Sequence, residues 1–136
     1  TAPYRSIAAE LFDQHNAYEL LEAQGAIEFL STSFIRGTTL DNAVILVDEM
    51  QNLTFHELDS IITRVGRNSR IIFSGDYYQT DLSKEADKTG ILKFLNIMEV
   101  MNNFTTIEFG WADIVRSDFV RDYIMTKDMV ERGDIQ

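Results

Sequence analysis

The stretch "NAVILVDEMQN", Asn42 to Asn52, runs four branched apolar residues, Val44 to Val47, straight into two adjacent carboxylates, Asp48 and Glu49. A strand with one wet face alternates apolar and polar positions, whereas a run apolar at every position is the pattern of a parallel strand covered on both faces. Val44 to Val47 is therefore expected to be a buried parallel strand that leaves the core into acid. What two carboxylates do at such an exit depends on the residues that surround them.

Working outward, "RIIFSGD", Arg70 to Asp76, repeats the signal: a second apolar strand ending on an acid. Between the two lies a helix. Thr54 and Glu57 have capping-box spacing, Leu53 and Leu58 sit at the positions of a hydrophobic staple, and Phe55, Leu58, Ile61, Ile62 and Val65 form one stripe that ends at Gly66. Upstream, Tyr4 to Gln24 reads as a helix broken near His15 and Asn16, with Pro3 in the first turn and Gly25 past the last. Ile27 to Phe34 reads as a strand, and "IRGTTLDN" has turn composition. Downstream come a helix around Ile91 to Met101, a strand "TTIEFG" at 105–110, and a last helix from about Ser117 through Met129. Alternating strands and helices give an α/β fold, a three-layer sandwich with a mainly parallel sheet.

In open α/β sheets ligands sit beyond the carboxyl ends of the strands, and both acidic clusters fall there. Asp48 ends the first strand; Asp76, with Gln79 three residues on, ends the second. An Asp in this place can act on a magnesium ion or its waters, and a Glu next to it can orient or deprotonate a water that attacks a phosphate. Gln79 can bond a terminal phosphate or that water without adding negative charge. Without a ligand, the same residues are solvated acids and an ordinary polar turn. The pair of motifs on one sheet edge favours a nucleotide site.

"FIRGTTLDNAVILVDEMQNLTFHELDSIITRVGRNSRIIFSGDYYQTDL", residues 34–82, followed by "DIVRSDFV", 113–120, resembles the C-terminal part of the PhoH family, ATPases related to superfamily 1 helicases. The resemblance spans about residues 34–124 and implies a partial P-loop NTPase fold of the RecA or helicase kind, with residues 1–136 as one domain, the C-terminal portion of the ATPase domain. By resemblance, Asp48 and Glu49 are the Walker B pair, with Asp48 at the metal. Gly75, Asp76 and Gln79 belong to a helicase-type motif III, and Arg116 is the arginine of the "DVVRH" signature, placed to stabilise charge on the phosphates. Arg36 keeps the first basic residue of the family's "MRGRTL", while Thr38 stands where the second would be. Met50 replaces an Ala of "DEAQN" and reads as packing; Ser117 replaces the His of "DVVRH" and reads as a helix cap.

The phosphate cradle is missing from the chain. A P-loop needs Gly-x-x-x-x-Gly-Lys-Ser/Thr, and no glycine here is followed by lysine. In the family that motif lies upstream of the matched region. The expectation is magnesium-dependent hydrolysis of ATP in the full-length protein, coupled to single-stranded RNA or DNA in one version, with this chain alone inactive. The resemblance also suggests a homo-oligomer. The rival reading is a non-catalytic interaction module on an ATPase scaffold.

Composition sets the outer limits. The chain has 136 residues, 45% of them apolar, enough for one domain with a core. Its net charge of −10 is spread evenly, with 10 acids and 5 bases in residues 1–75 and 12 and 7 in the rest. Such a surface gives no broad electrostatic footprint for a phosphate backbone. With no cysteine there is no disulfide and no thiolate metal site, and a cytoplasmic setting, a host's if the chain is viral, is expected. No apolar run approaches the roughly 18 residues of a membrane span. His15 and His56 have no companions at metal-ligand spacing, and Trp111, Tyr77 and Tyr78 read as packing more readily than as base-stacking residues.

Overall fold

The computed structural model describes residues 1–35, 37–76 and 85–135, apart from the side chains of Phe34 and 85–89. They form two compact units, Thr1–Asn96 and Ile97–Gln136.

In the first unit, helices α1 (Ala2–Phe12) and α2 (Ala17–Ala23) form a hairpin, broken where the sequence predicts. Pro3 occupies the first turn of α1, and Asp13, in the left-handed region, ends it. Gly25, at φ 72°, follows α2 and gives its N–H to the Glu22 carbonyl. Ala8, Ala17 and Tyr18 are buried between the helices, with Tyr4 and Ile27 packed against them. Arg5 reinforces the pair by an ion pair with Glu19 and by lying over the Tyr18 ring.

Strands β1 (Val44–Val47) and β2 (Arg70–Phe73) pair in parallel, Val44 opposite Arg70 and Val47 opposite Phe73. The crossover between them is helix α3 (Phe55–Ile62), whose predicted capping box is present. The Thr54 hydroxyl accepts from the Glu57 N–H at 3.2 Å, and Glu57 accepts from the Thr54 N–H at 2.8 Å. Ile35, Val47 and Ile61 are buried together, flanked by Ile45, Leu53, Ile71 and Phe73. Helix α4 (Glu85–Val100) brings Phe94 edge-on to Phe73 and Phe55, with centroids 5.1 and 6.5 Å apart. Gly90 belongs to this contact, because a Cβ there would lie 3.1 Å from that of Phe55.

The N-terminal ends of the strands are stitched together. Asn42 and Arg70 donate backbone N–H groups to Arg67 and Ala43 at 2.8 and 2.9 Å. The Asp41 carboxylate takes the Arg67 N–H at 2.6 Å, and the Asn68 side chain donates to that of Asn42 at 3.1 Å. Asn42 and Asn68 are both left-handed, with φ 53°, a conformation asparagine tolerates better than most residues.

Three expectations fail. The β1–β2 sheet is largely apolar on both faces, with Arg70 on the outer one, but covered on one: Val44, Leu46 and Ile72 are 67%, 57% and 52% exposed. Among the described residues these three side chains stand largely exposed. Ile27 to Phe34 is not a strand: Ile27 is drawn to the α1–α2 core, and Ser31 caps a single 3-10 turn, Thr32–Phe34. The stretch 105–110 likewise lacks a ladder partner among the described residues. An extended segment becomes a strand only where a neighbour accepts its hydrogen bonds.

In the second unit, α5 (Asp118–Arg132) starts after Ser117 and ends at Gly133, φ 79°. Ser117 holds the N-cap position as expected, but its side chain makes no capping bond. The Trp111 indole N–H donates to Asp128 at 2.9 Å, and Asp128 also receives Arg132 at 2.8 Å. That indole is committed to the unit's own packing.

Candidate functional site at the strand ends

The parallel register brings the two acid-ended strands to a common edge, as the sequence predicts. The pairing continues past the strands: Ser74 donates its N–H to the Val47 carbonyl at 2.8 Å, and Met50 donates to the Ser74 carbonyl at 3.0 Å. The turn that carries Asp48 and Glu49 is thus tied to Ser74 by backbone bonds on either side, at Val47 and Met50.

Between Val47 and Met50 the chain turns sharply. Glu49 takes φ 50°, ψ 47°, the left-handed conformation that costs a non-glycine residue roughly 1–2 kcal/mol. The surroundings hold it there. Met50 is buried behind it, its N–H fixed by Ser74, and Asn52 donates its side-chain amide to the Glu49 carboxylate at 2.8 Å. Met50 is the packing residue the sequence suggests.

Both oxygens of Asp48 have donors. The Glu49 N–H reaches Oδ1 at 2.9 Å, and the Tyr4 hydroxyl donates to Oδ2 at 3.0 Å. Partial burial, then the hydrogen bond to Asp48 and its negative charge, raise the Tyr4 phenol above its ordinary pKa. The phenol therefore stays a donor.

On the second strand, the Asp76 N–H donates to the Gln51 side chain at 3.1 Å. Gly75 is required by space, not by its dihedral angles: a Cβ there would lie 2.5 Å from Gln51 Oε1, 2.7 Å from Met50 Cγ and 3.1 Å from the Met50 nitrogen. Only glycine lets the "SGD" turn lie so close to the "DEMQN" turn.

The expected site residues divide accordingly. Asp48, Glu49, Gly75 and Asp76 come together at one edge. Arg116 is exposed and lies in the second unit, just before α5. Gln79 and Arg36 lie outside the described residues, as do Tyr77 and Tyr78. Sequence reasoning did not single out Tyr4, Gln51 and Asn52. The last two stand inside the quoted stretch, whereas Tyr4 is 44 residues from its partner and carried no signal.

Among the described residues no group of three or more histidines, cysteines or acids could hold a metal ion. At the strand-end edge the described carboxylates are those of Asp48, Glu49 and Asp76. Its donor chemistry suits a hard cation that keeps most of its waters and takes one or two carboxylates, as magnesium does beside phosphates. A separate hollow is lined by Thr32, Ser33, His56, Glu57 and Ser60, none of them strand-end residues. No helix among the described residues is long and apolar enough to cross a membrane.

An α/β chain with its acids at the ends of parallel strands is thus defined, and comparison with known proteins gives the family. The family model described as PhoH-like protein matches residues 2–128. The chain is similar to the PhoH-like protein of Mycobacterium leprae, 31% identical over 115 residues, covering 85% of this chain and 33% of that protein. It is similar to that of Bacillus subtilis, 34% identical over 110 residues, 81% and 34% of the two chains. With Protein PhoH of Escherichia coli it shares 34% identity over 93 residues, 68% and 26%. The chain belongs to the PhoH-like family and spans between about a quarter and a third of the length of these relatives.

Proposed function

We propose that this chain supplies the acidic half of an ATP-hydrolysing site in a longer PhoH-like protein. The observation that supports this best is the edge itself: the Asp48–Glu49 turn, flanked by Val47 and Met50, which bond the backbone of Ser74 just before Gly75 and Asp76. In this reading the sheet continues into a three-layer, RecA-like P-loop fold, and a glycine-lysine phosphate cradle elsewhere in the protein binds the nucleotide.

The roles follow from position. Asp48 is the residue that would hold a magnesium ion, which when bound would supply positive charge against the phosphates. Glu49, at the turn, orients the attacking water and accepts its proton as the water oxygen bonds to the terminal phosphorus, while the bond from that phosphorus to the bridging oxygen breaks and the electron pair leaves with ADP. Gln79 bonds the terminal phosphate, and Arg116 stabilises charge in the transition state; Gly75, Asp76 and Arg36 complete the nucleotide's surroundings. These assignments rest on the resemblance for Gln79, Arg116 and Arg36, and on the resemblance together with the strand-end geometry for the others. Coupling to single-stranded RNA or DNA, homo-oligomer assembly and a cytoplasmic setting belong to the same proposal and rest on the family resemblance and the cysteine-free composition.

The test joins this chain to the phosphate-cradle segment of the full-length protein. Glu49→Gln is expected to lower kcat by about 100-fold or more while ATP binding persists. Unchanged turnover would remove the catalytic role. Failure of the full-length protein to bind magnesium-ATP would favour the rival, an interaction module on an ATPase scaffold.

A further inference from the structure

A carboxylate has about four lone-pair positions, and its use as an ion-facing group depends on which are already occupied. At Asp48 one donor sits on each oxygen, the Glu49 N–H on Oδ1 and the Tyr4 hydroxyl on Oδ2. The first donor is built into the turn. The second arrives from α1, 44 residues earlier in the chain. Its placement is not that of a loose surface side chain, since the Tyr4 ring packs against the Ala8, Ala17 and Tyr18 core of the α1–α2 hairpin. A ring fixed in that core carries its hydroxyl to a fixed point.

We infer that Tyr4 is a positioning residue for Asp48: with the Glu49 N–H it clamps the carboxylate in one orientation and leaves the second lone pair of each oxygen for metal-bound water. The inference rests on the proposed magnesium role of Asp48. It assigns α1 a function that helix packing does not require. Removing a partner that orients a metal-facing group typically weakens metal affinity by 10- to 100-fold, and one clamp of two should sit near the lower end.

The full-length protein carrying Tyr4→Phe tests this, because phenylalanine keeps the ring in its core and deletes only the donor. Mn2+ is the probe, its binding followed by electron paramagnetic resonance with a non-hydrolysable ATP analogue present, and Asp48→Asn is measured alongside. The expected result is Mn2+ binding about tenfold weaker in Tyr4→Phe, with an unfolding midpoint lowered by no more than the loss of one hydrogen bond, and a larger loss of binding in Asp48→Asn. Wild-type Mn2+ affinity in Tyr4→Phe, with the loss intact in Asp48→Asn, overturns the clamp and leaves the magnesium reading standing. No loss in either variant overturns both. Weaker binding with the midpoint lowered well beyond the loss of one hydrogen bond means that the α1–α2 core itself is disturbed, and overturns the clamp.

Discussion

The two faces of the β1–β2 sheet are both largely apolar, Arg70 on the exposed face excepted, and differ chiefly in their surroundings. Ile45, Val47, Ile71 and Phe73 pack with Ile35, Leu53 and Ile61, while Val44, Leu46 and Ile72 stand largely exposed. Composition alone does not report burial; cover does. The difference also locates the support of the site. The strands that end on Asp48 and Asp76 are held from one side, by α3 and α4, and by the hydrogen-bonded seam between them.

This contrast can be broken or sharpened by substitution. The largest effect is expected at Ile61→Ala on the covered face, where a cavity beside Val47 should cost 2–5 kcal/mol by the usual range of such truncations, read from urea unfolding. Next is Gly75→Ala at the rim. The added Cβ must push back Met50 and Gln51, a cost of about 1–3 kcal/mol on unfolding. It should also shift the Glu49 and Asp76 backbone resonances. The smallest effect is expected at Leu46→Thr on the bare face, within about 0.5 kcal/mol of the parent. If Leu46→Thr cost as much as Ile61→Ala, the two faces would be equivalent and the contrast would be lost.

Much of the scaffold was legible because it is written locally. The capping box at Thr54 and Glu57, the helix break near His15, the glycine after α2 and both parallel strands depend on neighbours within a few residues. The strand-end placement of Asp48, Glu49 and Asp76 followed from those elements. What misled was extended-looking sequence at Ile27–Phe34 and 105–110, where strand formation depends on a partner that composition does not name. Glu49's left-handed turn was also hidden, since nothing about a glutamate announces a positive φ. Tyr4 escaped for a third reason: its contact with Asp48 exists only once α1 is folded beside the sheet.

The asparagine clasp at the N-terminal ends of the strands bears on the acids at the other ends. Asn42, Asn68, Asp41 and Arg67 fix how far one strand may slide along the other, with Asn42 six residues before Asp48, roughly 20 Å at about 3.3 Å per residue. A slip of a single residue would turn every side chain of the shifted strand to the opposite face. It would also carry Gly75 away from Met50, so that a bulkier neighbour met the turn. The clasp is therefore a gauge block: it sets the tolerance to which Asp48 and Asp76 are aligned.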